Sequence, residues 1–224
     1  MLLALDTATR LMSLALHDGY RLHFEATWHT PNNHSIELTP AIQRAFAQVQ
    51  ITPADLAAVA VSLGPGSFTG LRIGLSTAKG LALAQNFPLV GVPTLDIVAY
   101  AVPAFEGRLV AVLQAGRGRV CAQGYRWSGP VSGWAPTGQA EITTWAALVD
   151  GVEEPTLFAG EIDDNGQALL AESTPLVHVA PGAWGLRRAG FLAEIAWARL
   201  RTGQTDDPAL AAPIYLHQPG VPHP

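Results

Sequence analysis

Residues 62–82 read SLGPGSFTGLRIGLSTAKGLA, and this stretch limits the possible fold more than any other. Gly64, Gly66, Gly70, Gly74 and Gly80 fall within it. Glycine disfavours helix, yet Leu71, Leu75, Ala78, Leu81 and Ala82 recur at helical spacing. Just ahead, residues 57–61 are small and branched, as in a buried strand. A buried strand that passes through a glycine turn into a helix is a building block of α/β folds. Pro65 and Gly66 suit the centre of a type II turn with Gly66 at positive φ, and Ser67 or Thr69 suits the helix N-cap. Gly70, Gly74 and Ala78 then make a row of small residues on one helix face. Such a row admits a neighbouring element of the same chain, a second protein, or a phosphate at the helix N-terminus. Spacing alone does not choose among them.

The rest of the chain supplies alternating strands and helices. Residues 2–5, 11–16 and 21–28 read as a three-strand meander, with Asp18-Gly19 as a hairpin turn. Leu38, Ile42, Ala45, Phe46 and Val49 mark a helix over about 35–48, capped by Ser35 or Thr39, with Pro40 in its first turn. Thr52-Pro53 opens a short helical turn, residues 69–85 form the glycine-row helix, a strand follows near 87–93, and Thr94 caps a helix over 95–100. This β-β-β-α-β-α-β-α order fills residues 1–104. A second unit, 105–224, pairs strands 109–113 and 120–125 around QAGRGR. It continues through a Gly/Pro/Ser-rich loop at 128–138 and a short helix capped by Thr144. Strands at 156–159 and 176–180 follow, then a helix over 186–201 that packs back on the first unit. The proline-rich tail ends in a loose segment, and no sequence repeat or heptad pattern is present.

Several chemistries fail on spacing. Gly64, Gly66 and Gly70 give G-x-G-x-x-x-G, one residue longer than the dinucleotide fingerprint. Lys79-Gly80 reverses the P-loop order, and Ser67 lacks the flanking glycines of a nucleophile elbow. His17, His23, His29, His34, His178, His217 and His223 form no metal-binding spacing, and Cys121 reads as a small strand residue without an activating neighbour. As the single cysteine, Cys121 permits no intrachain disulfide. In LDTAT, residues Asp6, Thr7 and Thr9 match a phosphate hairpin of the Asp-x-Gly-x-Thr type, but Ala8 stands where glycine would let a phosphate approach. The same residues also make an ordinary Asp-capped turn.

LALDTAT, HSIELTP, GPGSFTGLRIGLSTAKGLA and PIYL occur in that order, and with them the chain resembles the TsaB (YeaZ) family. The resemblance rests most on Gly64, Pro65, Gly66, Ser67, Phe68, Thr69, Gly70, Leu71, Arg72 and Gly74. It implies a two-lobed actin-like ATPase (ASKHA) fold, each lobe a mixed sheet with flanking helices. It also implies a non-catalytic role beside a TsaD-like paralogue and a TsaE-like ATPase. Together these proteins form N6-threonylcarbamoyladenosine next to the anticodon of tRNAs that read ANN codons. No catalytic residue, metal or cofactor is then expected on this chain, with ATP and metal on the partners. The family's contact surface maps to the helices near 35–48 and 69–85, with Leu38, Ile42, Phe46, Leu71, Gly74, Leu75 and Ala78 as candidates. A homodimer through the same helices is expected in isolation. QAGRGRVC departs from the family's Asp-Ala-Arg-Arg followed by Val-Tyr, with Gln114, Gly116 and Cys121 in the variant places. The alternative is an ATP-using small-molecule kinase or acyltransferase of the same superfamily, which needs a second phosphate hairpin that the sequence does not display.

Composition narrows the setting. A chain 49% hydrophobic and 14% charged is globular, and its 224 residues suffice for one large or two small cores. A net charge of −5, with twelve scattered arginines and one lysine, does not suit a free-standing nucleic-acid binder. The expectation is contact with tRNA only through the complex. The N-terminal apolar run breaks at Asp6 and Arg10 without a basic lead-in, so neither signal peptide nor membrane span is expected, and the setting is cytoplasmic.

Overall fold

In the computed structural model, residues 1–216 are described; His217, His223 and the end of the proline-rich tail lie outside them. The first unit comprises Met1–Ile97 and Arg187–Ile214, and Val98–Leu186 forms the body of the second. A single cut at 104/105 is therefore corrected. The first unit is discontinuous, and its last helix arrives from beyond the second.

The first sheet contains β1 (Leu2–Asp6), β2 (Leu11–His17), β3 (Leu22–His29), β4 (Ala58–Gly64) and β5 (Leu89–Pro93) in the order β3-β2-β1-β4-β5. β1, β2 and β3 pair antiparallel, while β4 and β5 add in parallel to β1. Such a sheet needs cover on both faces. α1 (His34–Val49) and α2 (Phe68–Gln85) cover one face, burying Leu38, Ile42, Phe46, Leu75 and Ala78 over Leu3, Leu5, Leu14 and Val59. α3 (Thr94–Tyr100) follows β5. The second unit contains β6 (Arg108–Gly116), β7 (Arg119–Trp127), β8 (Trp134–Pro136), β9 (Glu141–Thr144), β10 (Thr156–Gly160) and β11 (Val177–Val179), with α4 (Trp145–Asp150) and α5 (Asp164–Ala171). Its strand order, β8-β7-β6-β10-β11, repeats that of the first unit with the same parallel and antiparallel relations, and β9 adds a further pairing to β7. The topology is thus duplicated although the sequence carries no repeat. α6 (Ala189–Arg201) covers the other face of the first sheet with Ala189, Leu192, Ala193 and Ala196.

Several local expectations change. α1 has neither Ser35 nor Thr39 as its cap. It starts after Asn33, and Pro40 stands in its second turn. Thr94 opens α3, and its hydroxyl accepts from Gly64 N–H at 3.0 Å. The 128–138 loop contains β8, and β9 and α5 were not anticipated. α6 begins three residues later than expected, and its most buried face is alanine-rich because alanine allows the helix to lie close to the sheet. Leu186, the first residue of the helix expected over 186–201, precedes it and is exposed.

Candidate functional site

The β1–β2 turn holds Asp6, Thr7 and Thr9, all buried. Asp6 Oδ1 accepts from Ala8 N–H (2.9 Å) and from Ser62 Oγ on β4 (2.9 Å). Its Oδ2 meets Arg187 Nε at 2.9 Å, and both side chains are 0% exposed. Arg187 Nη2 continues to Thr9 Oγ1 (2.6 Å) and to Leu11 O (3.1 Å). Ser13 Oγ donates to the Arg187 carbonyl at 3.0 Å. The guanidinium therefore lies across the turn that the sequence presents as a degenerate phosphate hairpin. A buried carboxylate–guanidinium pair needs its remaining donors satisfied to offset desolvation, and these bonds do so.

The glycine loop closes against the same turn. Gly64 has φ +116°, which a side chain rarely adopts, and a cis peptide joins it to Pro65. The positive φ thus belongs to Gly64 and not to Gly66, which corrects the type II turn. Gly66 is glycine for another reason: a Cβ there would collide with the Ala8 carbonyl, which accepts from Ser67 N–H at 2.6 Å. Ser67 caps α2 by accepting from Gly70 N–H at 3.2 Å. Gly70 and Gly74 face Thr7, whose carbonyl and hydroxyl oxygens would each be struck by an added Cβ. Thr7 Oγ1 donates to the Gly70 carbonyl at 2.8 Å. Among the three occupants left open by the small-residue row, the observed one is the β1–β2 turn of the same chain. These residues do not fit a bound phosphate. The carboxylate is paired, the loop glycines are already in contact with backbone, and Ala8 carries a methyl.

This packing also bears on the partner-facing candidates. Leu38, Ile42, Phe46, Leu71, Gly74, Leu75 and Ala78 are all buried within the first unit. Such burial leaves them little surface to offer a partner, although Leu38 also lines the outward groove of the same helices. The outward side of the same two helices is a groove of about 520 Å3 whose floor includes Leu38 and Ile73 and whose walls include Ser35, Thr39, Phe68, Thr69, Arg72 and Ser76. There the Arg72 guanidinium stacks 3.8 Å over the Phe68 ring, which is 54% exposed. Of the family-motif residues, Ser67, Phe68, Thr69 and Arg72 are exposed, Gly66 is half-buried, and Gly64, Pro65, Gly70, Leu71 and Gly74 are buried.

In the second unit, Gln114 holds the end of β6 to Glu161. Its N–H meets Glu161 Oε2 at 3.3 Å, and its Nε2 donates to the Glu161 carbonyl at 2.9 Å. Asp6 ties β1 to β4 through Ser62 in the corresponding place. Gly116 (φ +73°) makes the β6–β7 turn with Arg117 and Gly118. Cys121 is buried on β7, and burial, helped by the Glu161 carboxylate, pushes its thiol up to about 11. Among the described residues no group of three or more His, Cys, Asp or Glu side chains could hold a metal ion, and no helix is long and apolar enough to cross a membrane.

Arg187 was the residue missed. The signal was present: Arg187 and Arg188 precede a helix, where the dipole disfavours cations. Two arginines there imply carboxylate partners. They are Asp6 for Arg187 and Glu25 for Arg188; Glu25 also accepts from Gly190 N–H at 2.7 Å and so caps α6 from β3.

Comparison with known proteins agrees with this architecture. Residues 29–136 match the profile of the family described as TsaD: tRNA N6-adenosine threonylcarbamoyltransferase. The tRNA threonylcarbamoyladenosine biosynthesis protein TsaB of Bacillus subtilis is 29% identical over 160 residues, covering 71% of this chain and 70% of that protein. The TsaB of Escherichia coli is 39% identical over 123 residues, spanning only about half of either chain, 53% and 52%. The structure of YeaZ from Pseudomonas aeruginosa superposes with a TM-score of 0.77 at 26% identity, covering 96% of this chain and 99% of that one.

Proposed function

Since the chain belongs to the TsaB (YeaZ) family, we propose that it acts in tRNA N6-threonylcarbamoyladenosine formation as a non-catalytic partner and activator of a TsaD-like transferase. The observation that carries this reading is the Arg187 guanidinium lying across Asp6, Thr9 and Leu11. A turn filled by the protein's own side chain offers no place for the phosphate of a kinase or acyltransferase cycle. ATP and metal then belong to the TsaD-like and TsaE-like partners, and tRNA is met through the complex, in keeping with a net charge of −5.

The contact surface we assign is the outward side of α1 and α2. Exposed Phe68 stacked with Arg72 supplies an aromatic and cationic anchor of the kind that dominates interfaces. In isolation the same groove is expected to pair with a second copy.

The test is reconstitution with a TsaD-like protein, a TsaE-like protein, threonylcarbamoyl-AMP and tRNA. Omitting this chain should abolish or strongly reduce modification. Phe68→Ala with Arg72→Glu should remove co-purification with the TsaD-like protein while leaving the unfolding curve unchanged. ATP turnover that follows the lone chain through successive purification steps would overturn the reading.

A further inference from the structure

β3 is an open edge. Among the described residues it pairs with β2 alone, so alternate N–H and C=O groups along it face away from the sheet. Long edges are normally guarded by lysine, proline or a covering element. β3, LHFEATWH, has neither residue, and its one carboxylate, Glu25, is held by Arg188 and Gly190 N–H on the α6 face, leaving the α1 side of the edge without a charge of its own. Phe24, Ala26 and Trp28 alternate along it and, with α1, wall a groove of about 370 Å3 beside this edge. Ile36 on the α1 side is 71% exposed.

Charge on the groove is one-sided. Glu37 is committed: its Oε2 accepts from Trp28 Nε1 at 2.8 Å and its Oε1 from Thr30 Oγ1 at 3.1 Å. Arg44 is exposed on the groove's rim and holds no ion pair among the described residues. α1 runs back along β3, and seven residues of helix carry Arg44 about 10 Å from Glu37 toward Phe24.

We propose that this edge and groove bind an extended segment of another protein as an added antiparallel strand. Apolar side chains at alternate positions would fill the groove beside Trp28 and Phe24. An acidic residue two places beyond the last of them would meet Arg44. Strand periodicity puts residues i, i+2 and i+4 on one face, so the motif is apolar-x-apolar-x-acidic. The face is separate from the α1–α2 groove assigned to the TsaD-like partner, and the inference does not depend on that assignment.

The probe is the heptapeptide acetyl-TLTVTET-amide against acetyl-TLTVTKT-amide, with binding followed by fluorescence and amide exchange by NMR on the full chain. The acidic peptide should bind at least tenfold more tightly, slow exchange of the outward β3 amides at least tenfold, and lose its advantage with Arg44→Glu. Arg44 is exposed, so the variant's unfolding curve should match the parent chain. Absence of β3 protection at millimolar peptide overturns the proposal, as does a preference that Arg44→Glu leaves unchanged. Concentration-dependent β3 protection of the lone chain, with a dimer in sedimentation, assigns the edge to a second copy and overturns it too.

Discussion

At the scale of single residues, the Asp6–Arg187 pair makes the strongest demand. Each charge is fully buried, so removing one partner strands the other. Asp6→Asn or Arg187→Met should each cost about 3–5 kcal/mol in urea unfolding. The double variant should cost clearly less than the sum, because neither stranded charge remains. Additive losses would mean that the two side chains act independently. Cys121 gives a pH prediction. Its ordinary value is 9.0 and the folded value is about 11, so the unfolded chain loses its thiol proton first as pH rises. Between pH 9 and 11 the folded state holds more protons, and stability falls with pH. Cys121→Ala should flatten that part of the pH profile. Below pH 9 the native thiol should react with maleimide far more slowly than in the denatured chain. The sequence exposed Cys121's inertness, since nothing beside it suggested activation. It did not expose the ion pair, because Asp6 and Arg187 lie 181 positions apart and no local pattern links them.

Along α2 the same substitution should have opposite signs at two glycines. Gly80 is exposed and a Cβ there meets nothing within 4 Å, so Gly80→Ala should stabilise by roughly 0.5–1 kcal/mol. At Gly74 the same methyl meets Thr7 Oγ1, and overpacking of about 1–3 kcal/mol should exceed the gain in helix propensity. Melting temperatures of the two variants test this directly, and equal shifts would refute the close approach. This element also marks the limit of legibility. Glycines four apart announce that something comes near the helix axis, and the periodicity of α1 and α2 announces an apolar face. Neither says what fills the space. The sheet took the apolar face and the β1–β2 turn took the glycine row, leaving Phe68 and Arg72 outside. In the second unit β8 and β9 are three and four residues long, too short for a period-2 pattern to stand out from loop, whereas β11 was legible as the strand at 176–180. α5 was missed although Asp163 caps it through Gly166 N–H, because its eight residues bury only Gly166 and Leu170.

For the whole molecule, chain order and spatial order part company. The strand order of the first sheet follows from its meander and its strand–helix–strand units, which are local in sequence and so were legible. The cover on its other face is not local. Leu2, Ala4, Ala15, Ala58, Ala60, Val90 and Val92 pack beneath Ala189, Leu192, Ala193 and Ala196, which the chain reaches only after the second unit. The segment after α6 adds an edge: Asp206 N–H bonds to Leu89 O at 2.8 Å, and Ile214 N–H to Leu63 O at 2.7 Å. A fragment of residues 1–104 should therefore fail as an independent domain. It would expose one whole sheet face to water, strand Asp6 without Arg187 and Glu25 without Arg188, and leave β5 without its cover. The expected state keeps far-UV circular dichroism, loses near-UV signal, binds a hydrophobic dye and unfolds without a sharp transition. Co-expression with residues 184–216 should restore cooperative unfolding, since that segment supplies α6, both arginines and the edge strap. A fragment 1–104 that unfolds cooperatively alone, with dispersed NMR signals, would show that the sheet closes without α6 and that the Arg187 contact is an addition to a domain already folded.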